Sequence, residues 1–162
     1  MKFSELVEKT IFKIIPSKGK SQEQGDKVPV FELENQEGKK VSSDQIENAL
    51  IYFYPKAGTS GCTEQACDLR DNIKRLEELD LNVYGISVNS VDEQKEFHEN
   101  QELNFDLLAD ENGEVAEKFG VLTEAGVSER TSFLVRDGKI ERIFRKVSPS
   151  EHVQKVLKSI EN

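Results

Sequence analysis

Residues 49–68 read ALIYFYPKAGTSGCTEQACD, and both cysteines of the chain lie within them. The run 49–54 is apolar without interruption, the pattern of a strand buried on both faces of a sheet. Pro55 has no N–H to offer a ladder and ends the strand. KAGTSG then supplies a loop with two glycines, and either Thr59 or Ser60 is available as the N-cap of a following helix. The stretch is thus a strand–loop–helix unit, with Cys62 in the first helical turn and Cys67 further along the same helix.

The same alternation continues outward from this unit. A short strand is expected at VFEL (30–33), followed by a turn at NQEGK. After the helix, from about Gly61 to Leu79, comes a second buried strand, LNVYGISV (81–88). A helix within 91–101, a strand near FDLLAD and a helix at GEVAEKFG follow. TSFLVR and IERIFRK flank the turn DGK and read as a hairpin. SPSEHVQKVLKSI closes the chain as a helix, with Ser148 as candidate N-cap and Pro149 at the first helical position. Strand–helix alternation, then a hairpin and a last helix, predicts an α/β fold of thioredoxin-like type, a central mixed sheet flanked by helices.

An extra amphipathic helix is expected at the N-terminus, where Phe3, Leu6, Val7, Ile11, Ile14 and Ile15 share one face before Pro16 stops the pattern. The polar SKGKSQEQGDK reads as a linker, which divides the chain into 1–24 and a domain at 25–162. The helix is expected to dock on the domain or on a sister chain; a free tail is the alternative, and its mixed charges argue against a membrane-surface role. Glu5, Glu8 and Lys9 interrupt any apolar core, so a secretory signal is not expected.

The 162 residues suit one domain with a sizeable core. Net charge is -9, from 22 basic and 31 acidic side chains, so the surface repels phosphate backbones and nucleic acid is not an expected partner. No apolar run approaches a membrane span. Two cysteines so close cannot staple a whole domain, which points to a cytosolic redox or ligand role rather than a secreted scaffold.

At a helix start, unpaired backbone N–H groups and the helix dipole favour negative charge, so a thiol there ionises more readily; comparable sites have pKa values of about 3.5–7.5. Five residues of helix rise about 7.5 Å and turn about 140°, leaving the two Cα atoms roughly 8–9 Å apart. A disulfide requires less than about 7 Å. The pair cannot bond while the helix is intact and can bond once its first turns unwind. Such a spacing suits a switch in which one thiol is oxidised to sulfenic acid and the other then condenses with it. An oxidant such as a peroxide, a hydroxyl such as that of Thr59 and a positive charge from a distant arginine would complete the chemistry.

The segment YFYPKAGTSGCTEQACDLRD resembles the active-site segment of peroxiredoxins, with Pro55, Thr59 and Cys62 in the signature spacing. The second cysteine five residues on is similar to the peroxiredoxin Q, or bacterioferritin-comigratory-protein, subfamily. The resemblance continues through DENGEVAEKFGV and ERTSFLVRDGKI and covers nearly all of the chain from Gly25. It implies reduction of hydrogen peroxide and organic hydroperoxides, with Cys62 peroxidatic, Cys67 resolving and Arg130, in RTSF, completing the site. It implies thioredoxin or a similar dithiol protein as electron donor, no cofactor, a cytoplasmic location, and a monomer or weak homodimer. The chain departs from the family's common KADTPGCT at Gly58 and Ser60, and has Val30 where an aspartate is usual.

Plainer readings stand beside these. Arg130 alone reads as a solvated loop arginine, Thr59 as a cap, and Tyr52, Phe53 and Tyr54 as core, with Tyr54 bordering the pocket. His98 and His152 lie in polar helical stretches and are expected to face solvent; with two cysteines they form no zinc spacing. Two rival functions are a general thiol–disulfide oxidoreductase, which would prefer Cys-x-x-Cys, and a non-catalytic protein working through its N-terminal helix.

Overall fold

A computed structural model describes residues 21–161 of the protein. The expected N-terminal helix at 3–15 and residues 17–20 of its linker lie outside the described residues. Seven strands form one mixed sheet: β1 (Glu32–Asn35), β2 (Lys40–Ser42), β3 (Ala49–Phe53), β4 (Asn82–Ser87), β5 (Asp106–Ala109), β6 (Thr131–Arg136) and β7 (Lys139–Phe144). Their order across the sheet is β2-β1-β5-β4-β3-β6-β7. The centre, β3 with β4 and β4 with β5, is parallel, while the pairs of β6 with β3 and β7, and of β1 with β5 and β2, are antiparallel. The helices are α1 (Ser60–Asp71), α2 (Ile73–Glu78), α3 (Val91–Asn100), α4 (Glu114–Lys118) and α5 (His152–Glu161).

The central strand explains the apolar run at 49–54. Every residue of β3 is buried, and its side chains alternate between two cores. Leu50, Tyr52 and Tyr54 join Cys62, Leu69, Leu76, Val156 and Leu157 on one face. Ala49, Ile51 and Phe53 join Phe31, Phe119 and Phe133 on the other. Each large side chain removed from water contributes about 1.5–3 kcal/mol, so both faces resist any slip of β3 in register.

Three expected boundaries shift. The helix after Cys62 is two helices, because Asn72 breaks it: its backbone leaves helical geometry (φ -109°, ψ 13°) and its Nδ2 donates to the Asp68 carbonyl at 2.8 Å. The first strand begins at Glu32 rather than Val30, which is 79% exposed. The last helix begins at His152 rather than Pro149; residues 148–151 form a turn closed by Glu151 N–H donating to the Ser148 carbonyl at 3.1 Å. β2 is an addition to the expected elements. The DGK hairpin stands as expected, with Asp137 and Gly138 both at positive φ (54° and 75°), the geometry that suits the twist of two-residue hairpins. Residues 25–28 run along the outer edge of β7: Gly25 N–H donates to Ile140 O (2.7 Å), Ile140 N–H to Asp26 O (2.8 Å) and Val28 N–H to Gly138 O (3.1 Å).

The floor beneath the cysteine helix is aromatic. The Tyr52 ring stacks on Tyr54 with centroids 5.3 Å apart and lies 5.9 Å from the His152 ring. Gly85 of β4 makes room for it, since a Cβ there would sit 2.8 Å from a Tyr52 ring carbon and 3.0 Å from Leu107 Cδ2. Gly85→Ala is therefore expected to destabilise the fold by about 1–3 kcal/mol through overpacking. A urea denaturation midpoint equal to that of the parent would show that the ring has space to move.

Candidate active site

The loop that presents Cys62 is fastened to the end of β4. The Ala57 N–H donates to Asn89 Oδ1 at 2.8 Å, which also accepts from Ser87 Oγ at 2.7 Å. Glu93 holds Asn89 in turn, accepting from its Nδ2 at 3.1 Å while completing the capping box with Ser90 at the start of α3. Tyr54 ends the strand with its hydroxyl donating to Gln94 Oε1 at 2.6 Å. Pro55 is half-buried at the point where the ladder stops. Gly58 takes φ 88°, a left-handed conformation that favours glycine.

Thr59 occupies the N-cap position, and its carbonyl accepts the first helical bond, from Thr63 N–H at 2.8 Å. Its hydroxyl makes no cap to the helix; it donates to the Lys56 carbonyl at 2.9 Å. Thr59 thus lies one turn before Cys62 and braces the loop.

Cys62 is only 1% exposed and is a free thiol. The Arg130 guanidinium reaches it across 68 residues of sequence, with Nη1 3.5 Å from Sγ. The same Nη1 donates to Gln65 Oε1 at 2.8 Å. The carbonyl of Arg130 is tied to Val147 N–H at 2.9 Å, which sets its side chain against the helix start. Gly61 leaves the space: a Cβ there would lie 3.3 Å from both Arg130 Nη2 and Pro149 Cγ. The Arg130 cation and the N-terminus of α1 thus converge on a buried sulfur. Cys67 is also free but half-buried, and its Sγ lies 3.5 Å from Gln101 Oε1 at the end of α3. Both thiols stand on the unbroken α1, so the helical separation expected from their spacing holds.

The structure therefore brings Cys62 and Arg130 into contact and turns Cys67 toward α3, while Pro55 stands at the end of β3 and Thr59 at the exposed start of α1 with its hydroxyl on the Lys56 carbonyl. It also gives a place to Gly61 and Gln65, to which the sequence assigned no role, and to His152, which was expected to face solvent. His152 is a correction. It is fully buried, between Gln65 Nε2 (3.0 Å from Nδ1) and Ser132 Oγ (2.7 Å from Nε2). The spacing His152, Val153, Val156, Leu157 marks the buried stripe of α5, and that period was the available signal. Burial, helped by the nearby Arg130 charge, pushes its pKa down to about 3.

The AhpC/TSA family pattern matches residues 24–143. The chain belongs to the AhpC/TSA family. It is 43% identical over 143 residues to peroxiredoxin Bcp of Escherichia coli strain K12, covering 82% of this chain and 92% of that one. Among solved structures it is similar to peroxidoxin BcpB of Mycobacterium tuberculosis, with TM-score 0.79, 32% identity, and coverage of 86% of this chain and 97% of that one. It is also similar to the bacterioferritin comigratory protein of Xanthomonas campestris, with TM-score 0.76, 25% identity and coverage of 81% and 90%; that structure concerns alkyl peroxide reduction. The protein is a peroxiredoxin, a thiol-dependent peroxidase.

The buried imidazole of this peroxiredoxin gives a pH test of its stability. The unfolded chain takes a proton near pH 6.5 while the folded one stays neutral to about 3, so stability is full above 6.5 and lost as pH falls below it. Between pH 6.5 and 5 that loss is about 2 kcal/mol. His152→Asn should remove most of this dependence; equally steep urea midpoints in both proteins would place the titration elsewhere.

Proposed function

We propose that Cys62 is the peroxidatic thiol of this enzyme and Cys67 the resolving one, acting within one chain. The observation that carries this reading is the Arg130 Nη1 contact, 3.5 Å from a sulfur that is shut off from bulk water at a helix start. The Cys62 thiolate attacks the terminal peroxide oxygen, the O–O bond breaks, and an alcohol or water leaves after protonation. Arg130 balances charge on the departing oxygen. The products are Cys62 sulfenic acid and the reduced peroxide. The Cys67 thiol then displaces water from the sulfenic acid and forms the disulfide. A dithiol donor of thioredoxin type restores both thiols.

The second step needs a change of shape. Conversion of the thiolate to a neutral sulfenic acid removes a helix-dipole interaction worth about 0.3–1 kcal/mol. The first turns of α1 then open more often and let Cys67 approach. Hydrogen peroxide and organic hydroperoxides are the proposed substrates, and the cytoplasm the proposed location, where free thiols persist. Residues 25–162 form the proposed catalytic domain, and the family match beginning at residue 24 supports that boundary. Among the described residues Val30 is the one large apolar side chain left exposed, which favours a monomer or weak homodimer.

Cys62→Ser should abolish peroxide consumption, since an alcohol is a far weaker nucleophile than a thiolate. Cys67→Ser should consume about one equivalent and stop as sulfenic acid until a small thiol rescues it. Normal turnover of Cys67→Ser with thioredoxin, followed by peroxide-coupled reductant oxidation, would remove Cys67 from the resolving role. Arg130→Ala should slow the first step by about 10²–10³, the scale of losing one oxyanion donor. Stopped-flow rates with peroxide alone isolate that step, and an unchanged rate would remove Arg130 from the site.

A further inference from the structure

The C-terminal helix reaches the reacting sulfur through a chain of hydrogen bonds that the chemistry above does not use. Ser132 Oγ, His152, Gln65, Arg130 and Cys62 follow one another at 2.7, 3.0, 2.8 and 3.5 Å. Three of the five, Ser132, His152 and Gln65, are fully buried, so none of their polar atoms can exchange its partner for water.

The donor and acceptor roles along this chain are forced from the Arg130 end. A guanidinium only donates, so the Gln65 atom facing it must be the carbonyl Oε1. The Gln65 amide nitrogen then faces His152 and donates, which requires a lone pair on Nδ1. The ring proton is left on Nε2, where Ser132 Oγ accepts it. Were Nδ1 to carry a proton, Gln65 would have to turn its carbonyl toward the ring and present its NH₂ to Arg130, donor against donor. The groups around the imidazole allow the neutral form: Arg130 is the nearby cation, and Tyr52, whose ring centroid is 5.9 Å away, has its pKa raised by burial.

We propose that His152, as a neutral Nδ1 acceptor, is a positioning residue of the peroxidase site: it fixes the Gln65 amide so that its carbonyl holds Arg130 against Cys62. The α5 helix is on this account a structural part of the site, and its first residue does the work. Gln65 is the intermediary because it stands one helical turn after Cys62, on the same buried face of α1. The proposal rests on the reading of Cys62 as the peroxidatic thiol, and Cys62→Ser, which tests that reading, leaves the hydrogen-bond chain beyond Arg130 in place.

Two variants separate positioning from packing. His152→Leu keeps the bulk and removes the acceptor, whereas His152→Asn keeps an acceptor oxygen near the place of Nδ1. The peroxide reaction of reduced full-length protein, by stopped flow, should slow about 10-fold in His152→Leu, a loss the size of one buried hydrogen bond, and recover most of the way in His152→Asn. In a Gln65→Leu background, His152→Leu should add no further loss, because its effect passes through Gln65. Nitrogen-15 spectra of the parent should show the Nε2–H tautomer unchanged from pH 8 to pH 5. Parent-like rates in a folded His152→Leu, equal losses in His152→Asn and His152→Leu, additive losses with Gln65→Leu, or an Nδ1–H tautomer would each overturn the proposal. Should His152→Leu fail to fold, the tautomer and the His152→Asn rate decide it.

Discussion

A sulfur kept out of water can carry negative charge only if something fixed and positive stands beside it. In this protein that partner is the Arg130 guanidinium, 3.5 Å from Cys62 Sγ, and much of the local architecture follows from the need to hold it there. Gly61 leaves room for the guanidinium over the start of α1. The chain after β7 returns to bind the Arg130 carbonyl through Val147. Gln65 fixes the guanidinium from the sulfur side. Remove any one and the guanidinium gains freedom beside the sulfur that the proposed reaction uses.

The sheet supplies the rigidity, and in the proposed cycle α1 supplies the movement. β3 is buried on both faces and hydrogen-bonded on both edges, so the loop after it starts from a fixed point. The buried face of α1 rests largely on apolar groups, the Tyr52–Tyr54 stack among them, while Arg70 at its far end donates to the Gln101 carbonyl at 2.6 Å. An apolar contact of that kind is non-directional and can be remade after the helix start opens, whereas a network of buried hydrogen bonds would have to be broken and re-formed. Gln65 is a buried polar residue on that face, and its place between the two cysteines means that opening α1 must break its two bonds.

The parts legible from the sequence are those written in short-range pattern. The apolar run at 49–54, the Pro55 stop, the helix start at Cys62 and the Asp137–Gly138 turn each depend on neighbours along the chain, and each formed as expected. Arg130 was legible only through the family resemblance, because its partner is 68 residues away. Gln65 carries no sequence signal, and His152 reads as solvent-facing, since each looks like a polar surface residue until the fold joins them across 87 residues. Asn72 broke the long helix because its side chain competes for the Asp68 carbonyl, a local preference that the apolar period did not reveal. The three residues of β2 were too few to show alternation.

The strand-like segment at residues 25–28 has a bearing on how the molecule behaves in a crowd. It satisfies donors and acceptors along β7 that would otherwise face outward as a template for another chain. At the opposite margin β2 is three residues long, with Lys39 and Lys40 exposed at its start. Both margins of the sheet are thus unattractive to a stray strand. That protection matters most if, as proposed, the start of α1 unwinds in each round of work. Loosened backbone from one molecule finds no open ladder on the next, and a transient opening closes again instead of seeding aggregation.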